Sequence, residues 1–167
     1  SELGSRTAHP ESLIAPLREL ADQAVDRGTK VAIETMPFSI ISTVPMGAEI
    51  VSAAHHPAVG LLIDAWHVFR AGTTIDELRD SLTPEMIFGV ELDDAARDMV
   101  GGNFFEDTLN HRLFCGDGSF DLRGLVSVLR NKGFDGPWGV EILSSRFRQL
   151  PVAQALKLAA ESTLTVL

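Results

Sequence analysis

The chain has 167 residues, of which 45% are hydrophobic and 22% charged, and this length and composition predict one globular domain with a sizeable core. Its formal net charge of −9 argues against nucleic acid and anionic membrane surfaces as partners, because both need a basic face. No apolar run is long enough to span a bilayer, and the single cysteine, Cys115, allows no internal disulfide, which is compatible with a cytoplasmic protein.

Helices and short apolar strands alternate along the chain. Helices are predicted where apolar residues share one helical face, and strands where an apolar run is continuous. In chain order, the predicted elements are a helix (10–27), a strand (31–34), a helix (47–55), a strand (59–64), a helix (74–82), a strand (86–92), a helix (121–132), a strand (138–143) and a helix (152–164). A loop carrying His67 and Arg70 follows the second strand, and a long polar loop, 93–119, follows the third. One helix followed by four βα units predicts right-handed crossovers and a parallel sheet.

Two α/β architectures contain such units, the flavodoxin-like open sheet and the (β/α)8 barrel. The open sheet needs a central crossover and usually a glycine-rich first βα loop, and Thr35-Met-Pro-Phe38 has no glycine. In a barrel, every strand sends its last residue to one common mouth. We therefore predict a (β/α)8 barrel, of which this chain is long enough for only half, because a typical barrel has about 250 residues.

An acidic residue stands at or near the end of each predicted strand, namely Glu34, Asp64, Glu91 and Glu141. Carboxylates that converge in one mouth cannot all stay ionised unless a cation lies between them. The pattern therefore predicts a divalent metal site. Ordinary capping or pairing is the alternative for any single acid. Asp93 and Asp94, which follow Glu91, are expected in the solvated loop or as caps.

Five segments resemble the xylose-isomerase-like TIM-barrel superfamily in its order and spacing. They are Val31-Ala-Ile-Glu-Thr-Met-Pro37, Leu62-Ile-Asp-Ala-Trp-His67, Val90-Glu-Leu-Asp-Asp-Ala95, Arg112-Leu-Phe-Cys-Gly-Asp-Gly118 and Gly136-Pro-Trp-Gly-Val-Glu141. The superfamily includes sugar-phosphate isomerases and epimerases, inosose and dehydroshikimate dehydratases, and apurinic-site endonucleases. The resemblance aligns residues 1–167, as a single domain, with strands five to eight of the family barrel.

The resemblance also implies roles for individual residues. Glu34, Asp64 and Glu141 match metal ligands of the family's ketose epimerases, and the third ligand position, usually His, is Glu91 here. An all-oxygen set favours Mg²⁺ or Mn²⁺ over Zn²⁺. His67 resembles a substrate-contacting histidine, and Arg112 stands where the family places a substrate-binding arginine.

The family's chemistry implies an isomerase or epimerase acting on a sugar or keto-polyol, phosphorylated or not. Glu34 and Glu141 are the expected catalytic pair, exchanging a proton next to a carbonyl as base and acid, while the metal stabilises the enediolate. A lyase on the same scaffold and a non-catalytic truncated homologue are the alternatives. Because parallel strands rarely tolerate open edges, we expect the N-terminal half of the barrel to come from a longer chain, or a second copy to take its place.

Overall fold

Four parallel strands form one sheet in a computed structural model that describes residues 9–167. The strands are β1 (Val31–Glu34), β2 (Val59–Asp64), β3 (Ile87–Leu92) and β4 (Trp138–Val140). Each strand pairs with the next one in sequence, so the spatial order is β1-β2-β3-β4 without a central crossover. The strands lie where the sequence predicts them, although β4 is shorter and ends one residue before Glu141.

Seven α-helices accompany the sheet within the described residues. They are α1 (Ile14–Val25), α2 (Val44–Ala54), α3 (Ala65–Arg70), α4 (Ile75–Ser81), α5 (Phe104–Asn110), α6 (Leu122–Asn131) and α7 (Val152–Leu164). Short 3-10 turns lie at Pro10–Leu13, Pro84–Met86 and Phe147–Gln149. A capping box begins α4, where Thr74 and Glu77 exchange side-chain and backbone hydrogen bonds. Between residues 9 and 167, no helix is long and apolar enough to cross a membrane.

The hydrophobic core lies between the sheet and its helices. The central strands contribute Leu61 and Ile63 from β2, and the helices contribute Leu78 of α4 together with Leu125 and Leu129 of α6. All five side chains are fully buried. This core holds the strands in register, and the register in turn sets where their terminal acids meet.

Elsewhere on the sheet, glycines make room for large residues of neighbouring strands. A Cβ on Gly60 would lie 2.6 Å from the ring of Phe88, and one on Gly89 would lie 3.1 Å from a methyl group of Leu62. The pairing of β2 with β3 shifts register between Leu61 and Leu62. Phe88 and Leu62 themselves stay only partly buried. One face of the sheet is therefore packed under helices. Other apolar side chains of the sheet, such as Phe88 and Leu62, remain partly exposed to solvent among the described residues.

Two segments predicted as loops are helical. The loop expected after β2 is α3, because the Asp64 side chain caps it and accepts a hydrogen bond from the His67 amide at 3.0 Å. The long loop expected over residues 93–119 contains α5, whose N-cap Asn103 accepts from the Glu106 amide at 3.0 Å. In both cases a capping side chain starts a helix too short to show a clear apolar period.

Candidate metal centre

The four acids predicted as metal ligands meet at the carboxyl ends of the strands. Glu34 and Asp64 are the last residues of β1 and β2, and Asp64 is paired in register with Glu91 of β3. Glu141 follows β4 directly. One carboxylate oxygen from each of these residues lies within 4.8 Å of the others. Parallel pairing in chain order places the strand ends side by side, which brings residues 107 positions apart in sequence into one cluster.

His67 joins this cluster from the first turn of α3. Its Nε2 lies 3.2 Å from Glu34 Oε1, and the side chain is buried. The hydrogen bond from His67 is the main reason that the pKa of Glu34 lies below its ordinary value, against the opposing effect of burial. Glu34, Asp64 and His67 also form a second group with ligand atoms within 4.8 Å of one another. The predicted substrate contact of His67 stays a prediction, and its position beside Glu34 is compatible with it.

Arg112 lies inside the cluster, whereas the sequence places it in a polar loop. Only 1% of the residue is exposed. Its Nη1 donates to Asp64 Oδ2 at 2.7 Å and to Asp93 Oδ2, and its Nη2 lies 3.0 Å from Glu141 Oε2. Thr108 accepts further bonds from Nη2 and Nε at 2.8 and 3.2 Å. The predicted substrate contact of Arg112 stays a prediction; in this structure its guanidinium binds the acids themselves.

The segment that carries Arg112 is held between the ends of β3 and β4. The Arg112 amide donates to the Leu143 carbonyl at 3.1 Å, and Leu113 exchanges backbone hydrogen bonds with Asp94 at 2.7 and 3.1 Å. His111 bridges Ser144 in the same antiparallel manner. These contacts bring a residue from a segment distant in sequence under the strand ends. Local sequence carries no signal for that placement.

Asp93 and Asp94 are both buried, with at most 1% of either residue exposed, so the expectation of a solvated position is wrong, whereas the alternative of a cap fits Asp94. Asp93 pairs with Arg112. Asp94 accepts hydrogen bonds from the amides of Ala95, Gly116 and Phe120 at 2.8 to 3.0 Å and thereby ties the loop after β3 to a distant turn. Asp93 is therefore a fifth carboxylate of the cluster that sequence reasoning missed. Its place two residues after Glu91, directly beyond β3, is the one available signal.

Burial and the charges of neighbouring acids shift the pKa values of the clustered carboxyl groups. Burial, followed by the charges of Glu141, Asp64 and Glu34, raises the pKa of Glu91 to about 7. Burial also raises the pKa of Glu141, although the charge of Arg112 opposes the shift. Burial, followed by the charge of Asp64, likewise raises the pKa of Asp93, with Arg112 opposing the shift. Five carboxyl groups thus face one guanidinium and one histidine, an excess of acids over the cations beside them. This excess and the convergent oxygen donors fit a divalent cation held by Glu34, Asp64, Glu91 and Glu141.

An aromatic group stands beside the acids. Phe38, from the loop after β1, lies with its ring centroid 4.6 Å from Phe105 and 6.3 Å from Phe104, both at the start of α5. The Phe38 ring also meets the His67 ring edge-on at 6.0 Å. Phe105 keeps 40% of its surface exposed. Phe38 therefore contacts both His67 and the start of α5 on this side of the acids.

The α5 segment is fixed by a buried carboxylate. Asp107 accepts hydrogen bonds from Trp66 Nε1 at 3.0 Å, from Arg70 Nε at 2.7 Å and from the Val100 amide at 2.7 Å. The Arg70 guanidinium continues to the carbonyls of Ala96 and Arg97 at 2.9 and 3.1 Å. One acid thus links α3, α5 and the loop that leads from β3 to α5, which stabilises the aromatic side of the cluster.

Comparison with known proteins shows the family directly. Residues 4–163 match the model of the xylose isomerase-like TIM barrel family, and the chain belongs to that family. It is 31% identical over 157 residues to an inosose isomerase of Halalkalibacterium halodurans, an alignment that covers 93% of this chain and 54% of the relative. It is 28% identical over 143 residues to a 3-dehydroshikimate dehydratase of Pseudomonas putida, covering 85% of this chain and 22% of that enzyme.

A solved structure agrees with these relatives. The crystal structure of IolI protein with a bound zinc atom superimposes with a TM-score of 0.86 at 28% identity, covering 97% of this chain and 57% of that one. The sheet is accordingly TIM-barrel-like. The chain spans about half the length of the inosose isomerases that it matches.

Proposed function

We propose that this chain carries the metal-binding part of the active site of a divalent-metal-dependent isomerase or epimerase that acts on a sugar or keto-polyol. The observation that carries the proposal is the cluster of Glu34, Asp64, Glu91 and Glu141, with carboxylate oxygens within 4.8 Å of one another. Inosose isomerases among the relatives support a cyclic polyol ketone as the substrate class.

The metal is held by these four carboxylates in the proposal, and Mg²⁺ or Mn²⁺ is preferred over Zn²⁺. Hard divalent ions accept sets of oxygen ligands, whereas a histidine at the third position would favour zinc. A bound cation supplies Lewis acidity toward the carbonyl oxygen of the substrate. Metal binding is supported by the relative that contains zinc, and the choice among metals rests on the donor atoms of this chain alone.

The proton transfers are assigned to Glu34 and Glu141. The pKa of Glu34 is lowered by the hydrogen bond from His67, so its carboxylate is suited to remove a proton next to the substrate carbonyl. The pKa of Glu141 is raised by burial, so this group is suited to return a proton. His67 orients a substrate oxygen next to Glu34. Arg112, which lies between Asp64 and Glu141, is the second residue proposed to orient a substrate oxygen.

We further propose that residues 1–167 form a single domain that corresponds to strands five to eight of the eight-stranded barrel. Support comes from the parallel order without a crossover and from the share of the relatives that is matched. The remaining strands are supplied by an N-terminal half or by a second copy. Exposed apolar residues at both outer ends of the sheet agree with this, namely Leu20 and Val25 on α1 and Val140 on β4. Size-exclusion chromatography with light scattering tests it, and a stable 18.1 kDa monomer would contradict it.

The isomerase proposal is tested by exchange of carbon-bound hydrogen. The chain is incubated in D₂O with Mn²⁺ and an inosose, and ¹H NMR follows deuterium entering the carbon next to the carbonyl. We expect exchange that depends on Mn²⁺ and falls at least about a hundredfold in Glu34→Gln, because the base is lost. Glu161→Gln, an exposed acid on α7, is the matched control and should leave exchange unchanged. Exchange that persists in Glu34→Gln would refute the assignment.

A lyase is the second candidate function, and the residue at the third ligand position favours it. In this alternative Glu91 is the acid that protonates the departing hydroxyl and is not a metal ligand; without a metal, burial and the neighbouring acids raise its pKa to about 7. The dehydratase relatives belong to this reaction type by name. Water loss from a cyclic β-hydroxy ketone, followed by ultraviolet absorbance of the enone, separates the lyase from the isomerase. A chain that binds metal but shows neither reaction is the non-catalytic homologue.

The metal preference has its own test. Glu91→His should retain a site and shift its preference from Mn²⁺ toward Zn²⁺, because imidazole is the softer ligand. Glu91→Ala should weaken Mn²⁺ binding. Calorimetric titration of both variants with both metals measures this. Unchanged Mn²⁺ affinity in Glu91→Ala would show that Glu91 is a structural acid and no ligand.

A further inference from the structure

Asp93 is a buried carboxylate that the proposed metal set does not use. It is fully shielded from solvent and lies two residues beyond Glu91, immediately after β3. One oxygen, Oδ2, accepts from Arg112 Nη1. Within the part of the chain that the structure describes, the other oxygen, Oδ1, has no hydrogen-bond partner. A buried acid that is only half satisfied costs stability, so its presence calls for a functional reason.

The partner of Asp93 is also the partner of two proposed metal ligands. Arg112 Nη1 is shared between Asp93 and Asp64, and Nη2 lies 3.0 Å from Glu141 Oε2. The face of the guanidinium lies over the Trp66 ring, with Cζ 5.4 Å from the ring centroid. Thr108 accepts from Nε and Nη2, so every nitrogen of the guanidinium has an acceptor. Arg112 is therefore fixed in one place, in contact with the carboxylates that a cation needs.

This position creates an electrostatic conflict. A guanidinium within 3.0 Å of Asp64 and Glu141 orients their carboxylates, but its positive charge repels a divalent cation bound to the same oxygens. The conflict is reduced if a further negative charge lies against the guanidinium. The Asp93 carboxylate is in that place, because it forms an ion pair with the same Nη1 nitrogen that Asp64 contacts. Burial and the charge of Asp64 raise the pKa of Asp93, whereas the charge of Arg112 and its hydrogen bond oppose this shift.

We propose that Asp93 is a positioning residue of the metal centre, which acts through Arg112 by offsetting its charge while Arg112 holds Asp64 and Glu141 in place. The inference rests on the proposed metal site and deepens it. It explains why the cluster contains a fifth carboxylate outside the ligand set. It also explains why Arg112 and Asp93 are buried together, since the pair adds orientation to the site without adding net charge.

The test is a double-mutant cycle with Mn²⁺ as the probe. Mn²⁺ dissociation constants are measured by electron paramagnetic resonance for the unmodified chain, Asp93→Asn, Arg112→Gln and the double variant. We expect Asp93→Asn to weaken Mn²⁺ binding at least about tenfold, because Arg112 keeps its charge without an offset. In the Arg112→Gln background the same change should cost less than about threefold. Asp94→Asn, a neighbouring buried acid that binds backbone amides, should cost less than about threefold in the unmodified background.

The outcomes separate this inference from the proposed function. If the unmodified chain binds no Mn²⁺, the metal centre is refuted and the role of Asp93 with it. If it binds Mn²⁺ and Asp93→Asn stays within about twofold, only the role of Asp93 is refuted. An equal loss in both Arg112 backgrounds would also refute it, because Asp93 would then act without Arg112. If Asp93→Asn fails to fold, Asp93→Glu, which keeps the charge, should retain Mn²⁺ binding within about threefold, and a tenfold loss there would overturn the proposal.

Discussion

Glu91→Gln should make the metal-free chain more stable at pH 8 while leaving it nearly unchanged at pH 5. Burial and the charges of three neighbouring acids raise the pKa of Glu91 from its ordinary 4.5 to about 7. The folded state therefore binds a proton more readily than the unfolded chain, and stability is lost as pH rises from about 4.5 to about 7. Glutamine has nearly the same shape and does not ionise, so the variant avoids this loss.

The size of the effect follows from the two pKa values. The difference between 4.5 and about 7 corresponds to about 3 kcal/mol, and because Glu91 is only partly buried, solvent screening reduces this to about 1–2 kcal/mol. At pH 5 the unmodified chain has lost little of this stability, so Glu91→Gln should raise the free energy of unfolding by about 0.5 kcal/mol or less. The contrast between the two pH values is what distinguishes electrostatic relief from a general packing effect.

Urea unfolding followed by circular dichroism, in EDTA at pH 5 and pH 8, measures the difference. Glu161→Gln serves as the control, because this exposed acid on α7 should give the same small change at both pH values. A gain for Glu91→Gln that is equal at both pH values, or a loss at pH 8, would refute the reasoning. Added Mn²⁺ should reverse the order and stabilise the unmodified chain more than the variant, since the variant lacks one proposed ligand.

Three further predictions concern the scaffold. Gly118→Ala should lower stability by about 2 kcal/mol or more in thermal unfolding, because its Cβ would lie 2.2 and 2.4 Å from buried oxygens, while Gly102→Ala, with open space around it, should not. Leu129→Ala in the core should cost about 2–5 kcal/mol in urea, and Leu164→Ala, 71% exposed, less than about 0.5 kcal/mol; equal losses would contradict the described core. Burial raises the pKa of Cys115 to about 11, so a thiol reagent should modify it rapidly only after unfolding, and fast labelling of the folded chain would be inconsistent with this.

The sequence alone was sufficient for the order of the elements and the ends of the strands. Continuous apolar runs predicted β1, β2 and β3 to within one residue, and the final helix, Val152–Leu164, has the predicted bounds. The acids at the strand ends could be placed in one cluster because the carboxyl ends of parallel strands lie at the same edge of the sheet. The position of each acid in its own strand is therefore enough to predict that the acids meet. The convergence of Glu34, Asp64, Glu91 and Glu141 therefore needed no tertiary information.

The tertiary structure decided what surrounds those acids. Arg112 reaches the cluster because the segment after α5 forms bridges to the segments that follow β3 and β4, and there it pairs with Asp93. No apolar period or spacing in the sequence predicts these bridges. A polar residue in a polar loop has the same neighbours in sequence whether it is solvated or buried in an ion pair. The sequence by itself thus determined that Glu34, Asp64, Glu91 and Glu141 meet, through strand direction, but not that Asp93 joins them. Which charges balance them was decided by long-range packing, because the energy of a buried ion pair depends on distances that only the folded chain defines.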